Sequence, residues 1–171
     1  MTDKIITKQV IVDVPIKEVW RKWTTEEGLK TFLVKDCEVE LKIGGAFEMY
    51  FNPDAPPGSQ GSEGCKILSF LPEKMLSFSW NAPPTIPTIR ALGDMAWVVV
   101  FFEEINSNRT KVELNHLGFG FFSTHPGNFL KFIYLLFVQH IKGMLFLFKI
   151  GNLIVKASLY ALKLIFLIPN F

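Results

Sequence analysis

Two absences narrow the class of protein to which this sequence belongs. Its 171 residues include only two cysteines, Cys37 and Cys65, and its first residues lack the apolar core of a secretion signal. A protein that is not exported keeps such thiols reduced. The sequence also lacks the basic cluster with which proteins follow a phosphate backbone. We therefore expect a cytoplasmic protein with no disulfide and no nucleic-acid partner.

Acidic side chains and arginine are missing from the last third of the chain, residues 119–171. The whole chain has 18 basic and 16 acidic residues, so this segment is basic and the body before it is acidic. The last four lysines recur every seven residues, which returns them to nearly the same side of a helix whose other sides are apolar. The pattern predicts one long amphipathic helix. Its lysines are Lys131, Lys142, Lys149, Lys156 and Lys163.

Three interpretations of this C-terminal segment remain open. It can be a cover helix that packs on a sheet and bends near Gly143 or Gly151. It can be an interfacial helix that attaches the protein peripherally to a membrane surface, with its apolar side in the acyl region. It can also be the product of an altered reading frame. In the second interpretation the lysines at the headgroups are Lys142, Lys149, Lys156 and Lys163.

The rest of the chain alternates between apolar and polar residues in short segments, which predicts strands. Residues 4–14 form the first strand, and Pro15 begins the first of two short helices. Successive hairpins then predict a mostly antiparallel sheet in an α+β fold, with one domain of 171 residues made of a body (1–119) and an atypical tail (120–171). The six further strands are residues 37–43, 46–51, 64–71, 74–80, 95–103 and 109–117.

Several motifs of the body carry a family resemblance. They are the segment 12–20 (VDVPIKEVW), the Gly44-Gly45 hairpin, the segment 76–80 (LSFSW) and the segment 110–119 (TKVELNHLGF). Residues 5–119 thus resemble the C-terminal domain of the activator of Hsp90 ATPase, the AHSA1-like family of the START/Bet v 1-like (SRPBCC) superfamily. The resemblance implies a helix-grip fold, in which a curved antiparallel sheet surrounds a long C-terminal helix. It also implies an Hsp90-type chaperone as a partner.

The apolar sides of the strands predict a hydrophobic cavity that binds a small molecule or a lipid. The strand at residues 95–103 is ambiguous, because it is apolar on both sides. If Trp97, Val99 and Phe101 point outward, they form an outer patch suited to a protein or a membrane. The predicted ligand-binding residues are Val39, Leu41, Phe47, Met49, Phe51, Leu76, Phe78, Trp80, Val98, Val100, Phe102, Leu114 and His116.

No arrangement of residues in the sequence indicates catalysis. His116 has no neighbour in the sequence that would make it a general base, and His125 and His140 lack the third ligand of a metal site. The glycine pairs lack the strand-to-helix context of a phosphate-binding loop. We therefore expect a non-enzymatic binding module without cofactor or metal. The alternatives are a chaperone-interaction module and a membrane-associated protein attached through its C-terminal helix.

Overall fold

The computed structural model describes residues 5–118, which form seven strands and three short helices. The chain divides into two compact units, Met1–Thr124 and His125–Phe171. The predicted C-terminal helix and its lysine stripe lie outside the described residues. The helices are α1 (Ile16–Thr24), α2 (Glu26–Lys30) and α3 (Pro87–Arg90). The strands are β1 (Ile6–Val12), β2 (Asp36–Val39), β3 (Phe47–Tyr50), β4 (Ile67–Leu71), β5 (Met75–Trp80), β6 (Ala96–Asn106) and β7 (Arg109–Leu117).

The strands form an antiparallel layer, as predicted. Five of them pair in the order β1-β7-β6-β5-β4, and β2 and β3 form a separate two-stranded ribbon. The ribbon is attached to the edge of the larger sheet, because the N–H of Phe47 donates to the carbonyl of Cys65 at 2.9 Å and that of Ile67 donates to the carbonyl of Gly45 at 2.9 Å. This curved sheet with few short helices is consistent with the helix-grip fold.

Helix α1 covers one side of the sheet. It begins after Pro15, whose carbonyl accepts the first backbone hydrogen bonds of the helix. Proline suits this position, because a backbone N–H there would have no partner within the helix. Val19 and Trp23 are buried. Trp20 and Trp23 both contact the ring of Phe102 on β6, with centroids 5.5 and 6.2 Å apart. The side of the sheet that carries Phe102 therefore faces the helix.

The pairing register settles which side of β6 faces inward. Phe78 of β5 pairs with Val98, and Val98 pairs with His116 of β7. Because alternate residues of a strand point to opposite sides, Trp97 and Phe101 lie on the other side. The inner face of the five-stranded sheet carries Leu76, Phe78, Val98, Val100, Phe102, Val112, Leu114 and His116.

The prediction that Leu41 points inward is wrong. Strand β2 ends at Val39, and the N–H of Glu40 donates to the carbonyl of Ala46 at 2.9 Å, where the chain turns toward β3. The turn passes through Gly44, whose φ of 78° favours glycine. Leu41 therefore lies in the turn with 37% of its surface exposed, outside the strand that its alternation predicted.

Two long loops of the body are joined through the ion pair between Arg90 and Glu63. Arg90 ends α3, between the predicted strands 74–80 and 95–103, and its Nη2 lies 2.8 Å from Glu63 Oε2. Its Nη1 donates to the carbonyls of Gly61 at 3.0 Å and Ala82 at 2.6 Å. Burial opposes ionisation of Glu63, but the N–H groups of Gln60 and Gly61 and the charge of Arg90 outweigh it and lower its pKa.

Candidate functional site

The predicted ligand-binding residues fall into three groups in the structure. Leu41 is exposed, and Val39, Phe51 and Trp80 are half-buried. Val112 also lies on the inner face but was not among the predicted residues, although it shares the alternation of Leu114 on β7. Most of the predicted set therefore lies on one continuous buried surface. The nine buried members are Phe47, Met49, Leu76, Phe78, Val98, Val100, Phe102, Leu114 and His116.

Aromatic rings lie toward both ends of this surface. The rings of Phe47 and Phe78 are 4.3 Å apart between centroids, so the ribbon of β2 and β3 continues the inner face beyond the five-stranded sheet. Trp80 lies 6.0 Å from Phe78, and Phe51 lies 6.3 Å from Trp80. At the other end the two tryptophans of α1 contact Phe102. Aliphatic side chains separate the two groups of rings.

Of the described inner-face residues, one ionisable group is buried, and that group is neutral at pH 7. His116 is 1% exposed, and burial lowers its pKa from 6.5 to about 3. Its cross-strand neighbours are Ile6 on β1 and Val98 on β6, both apolar. Within residues 5–118 no Asp, Glu, Lys or Arg is among the buried side chains. Lys8 pairs with Leu114 and so lies, half-buried, on the same side of the edge strand β1. The buried centre of the surface therefore carries no charge, and a cation stands at its edge.

The described residues include few side chains that could act as nucleophiles or metal ligands. Burial raises the pKa of the Cys37 and Cys65 thiols to about 11, so both remain protonated and are poor nucleophiles at pH 7. Between residues 5 and 118, no cluster of His, Cys, Asp or Glu is placed to hold a metal ion. The described inner face is thus a buried and largely apolar surface.

The three helices of the described part are too short and too polar to cross a membrane. The predicted lysine-lined membrane surface, Lys142, Lys149, Lys156 and Lys163, lies outside the described residues.

Solved structures with similar folds have sequences that differ widely from this one. A protein of Mesorhizobium loti is 16% identical with a TM-score of 0.62, and the match covers 88% of this chain and 100% of that one. The Aha1 dimer from Colwellia psychrerythraea is 14% identical with a TM-score of 0.61, covering 87% and 98%. CalU16 from Micromonospora echinospora is 17% identical with a TM-score of 0.58, covering 95% and 85%. These similarities concern the fold alone.

The sequence itself assigns the chain to a family. No curated protein matches it, but the family model described as Activator of Hsp90 ATPase homolog 1-like protein matches residues 13–126, more than half of the chain. The matched region begins just before α1 and includes β2 to β7. The chain is therefore a member of the family of Activator of Hsp90 ATPase homolog 1-like proteins.

Proposed function

We propose that the chain is a binding module that holds an uncharged hydrophobic small molecule or lipid on its inner face, without catalysing a reaction on it. The composition of that face supports the proposal: aromatic rings toward both ends, aliphatic side chains between them and one neutral imidazole. Ligand sites in proteins are mostly apolar surfaces with a few polar groups that orient the ligand. His116 is the polar group that would orient an oxygen of the ligand.

The absence of buried charge from the described inner face, where Lys8 lies only on the edge strand β1, favours a ligand without charge. Moving an ionised carboxylate or sulfonate from water to an apolar surface is strongly unfavourable unless an opposite charge or hydrogen-bond donors compensate. The buried side chains of residues 5–118 include no Lys or Arg, and His116 is not protonated at pH 7. An alcohol, ketone, ester or hydrocarbon therefore fits this face better than a fatty acid.

Two fluorescent probes that differ by one sulfonate group test this preference. N-phenyl-1-naphthylamine is neutral, and 8-anilinonaphthalene-1-sulfonate is its anionic counterpart. We expect the full chain to bind the neutral probe at least about tenfold more tightly at pH 7, because the sulfonate loses hydration on a surface whose buried centre holds no cation. Fluorescence titration measures both dissociation constants.

Variants on opposite sides of one strand locate the bound probe. Val98→Phe adds volume to the inner face and should weaken binding of the neutral probe, whereas Phe101→Lys changes the other side of β6 and should leave binding unchanged. Circular dichroism checks that both variants fold. The proposal fails if neither probe binds, if the anion binds more tightly, or if Phe101→Lys alone abolishes binding.

A second function, activation of an Hsp90-type chaperone, is favoured by the family to which the chain belongs. We expect the full chain to raise the ATPase turnover of Hsp90 from the same organism in a coupled assay. The inner-face variant Val98→Phe provides the control. If it binds the neutral probe weakly but still raises ATPase turnover, ligand binding and chaperone activation depend on different parts of the chain. Unchanged turnover at saturating concentrations of the full chain would exclude this function. Attachment to a membrane through the lysine stripe stays a further prediction.

A further inference from the structure

The outer side of the sheet carries an apolar surface that the ligand hypothesis does not use. The outer patch consists of Leu71, Met75, Trp97, Val99, Phe101 and Leu117, on four adjacent strands. Leu71, Phe101 and Trp97 are exposed, with 57%, 46% and 38% of their surface accessible. Cross-strand pairing places Leu71 beside Met75 and Met75 beside Phe101, so the side chains form a continuous surface. Contiguous exposed apolar patches of this kind mark interaction sites.

The ring of Trp97 packs against the backbone at Gly118 within this patch. A Cβ atom at Gly118 would come within 2.5 Å of the ring. Gly118 has a φ of 87°, a conformation that favours glycine. A large aromatic side chain that is already ordered loses little further conformational entropy when a partner covers it. The contact with Gly118 limits the positions open to the Trp97 ring on one side.

The surroundings of the outer patch are uncharged or balanced in charge. Small hydroxyl side chains flank it on β5, where Ser77 and Ser79 pair with Val99 and Trp97. On the opposite side, Thr7 of β1 donates a hydrogen bond to Asn115 at 2.6 Å. Two opposite charges stand at the corners: Lys66, whose backbone bonds to Ser79, and Glu113, which pairs with Phe101. The patch as a whole therefore has no net charge.

This charge balance favours a second copy of the chain as the partner over an anionic membrane or a strongly charged protein. The nearby cations Lys111 and Arg109 are paired with Glu103 at 3.2 Å and Asp13 at 2.7 Å, so they are poorly placed to attract anionic lipid headgroups. A strongly charged protein would find no complementary field. The outer face of a second copy would contact this face without repulsion between like charges and would cover it with an equal apolar area.

The area of the outer face is also that of a dimer interface. The five strands have between 5 and 11 residues. At a rise of about 3.4 Å for each residue and about 4.8 Å between strands, they give a face on the order of 600 Å². Standard interfaces bury about 800 Å² on each partner. Sheets that pack face to face, about 10 Å apart, bury their apolar side chains in this way. We propose that the outer face is the interface of a homodimer in which two copies pack sheet against sheet.

Sedimentation equilibrium of the full chain tests this proposal. We expect a dimer for the wild type, and a dissociation constant at least about tenfold higher for Phe101→Lys and for Leu71→Lys, because each variant places a charge among the apolar side chains of the interface. Ile43→Lys is the matched control. Ile43 is 74% exposed and lies in the turn between β2 and β3, away from the outer patch, so this variant should remain dimeric.

Each other outcome overturns the proposal. A wild-type monomer at high micromolar concentration would show that the patch does not self-associate. A dimer that persists equally in Phe101→Lys and Leu71→Lys would place the contact elsewhere in the chain. A monomer that floats with zwitterionic vesicles, and loses this in Phe101→Lys, would make the patch a lipid-binding surface. The neutral-probe titration reports the inner face separately, so failure of one hypothesis does not decide the other.

Discussion

Replacing Arg90 with methionine is expected to lower the free energy of unfolding by about 2 to 4 kcal/mol. The substitution leaves the carboxylate of Glu63, which is 17% exposed, without its counter-ion. It also removes the donor to the carbonyls of Gly61 and Ala82. Methionine keeps most of the side-chain volume, so the loss reports the polar contacts rather than a cavity. Urea denaturation followed by circular dichroism measures it.

The matched control is Arg109→Met, which breaks another arginine–carboxylate pair of similar length. Arg109 Nε lies 2.7 Å from Asp13 Oδ1, but the two side chains are 49% and 77% exposed. Water and salt screen such pairs, so we expect a change below about 1 kcal/mol. Equal losses for the two variants would show that burial of the Arg90–Glu63 pair does not determine its contribution.

The second large effect is a loss of stability in mild acid that depends on His116. Burial lowers the pKa of His116 from 6.5 to about 3 in the folded protein. Between these pH values the unfolded chain binds a proton that the native state does not, so stability falls as the pH falls. The effect is absent above pH 6.5 and amounts to at most about 1.4 kcal/mol for each pH unit below it.

The variant His116→Leu isolates this contribution. The difference in unfolding free energy between wild type and variant should be constant above pH 7. It should then shift by about 2 to 3 kcal/mol against the wild type between pH 6.5 and 4.5. Carboxylates such as Glu63 titrate in both proteins and cancel in the difference. His116→Gln, which is polar but does not titrate, is a second comparison. Parallel pH curves for wild type and both variants would contradict a neutral buried imidazole.

The sequence was sufficient to predict those parts of the fold that depend on local patterns. Strand β7 has the predicted bounds, because its alternation is uninterrupted from Arg109 to Leu117. The inward position of His116 follows from the same alternation and is confirmed. The antiparallel layer follows from short hairpins, and the family from motifs in their order. The long terminal helix of the predicted fold stays a prediction.

Features that depend on partners distant in the sequence could not be predicted. The orientation of β6 was ambiguous because Trp97, Val98 and Val99 are all apolar, and only its register with β5 decides it. The pair of Arg90 and Glu63 joins residues 27 positions apart in two loops. Leu41 continues the alternation of its strand, but the strand ends before it in a turn that bonds to β4, where the N–H of Gly44 donates to the carbonyl of Ile67 at 2.8 Å. In each case tertiary contacts override the local pattern.

The pairing of β1 with β7 has a consequence for synthesis on the ribosome. Ile6 pairs with His116 and Val12 with Thr110, so the first strand to be translated meets its only strand partner within the described sheet roughly 100 residues later. Until that time the apolar side chains of β1 remain available to other nascent chains. Chains truncated before Arg109 cannot complete the sheet, and they should depend on holding factors that full-length chains release once β7 has emerged.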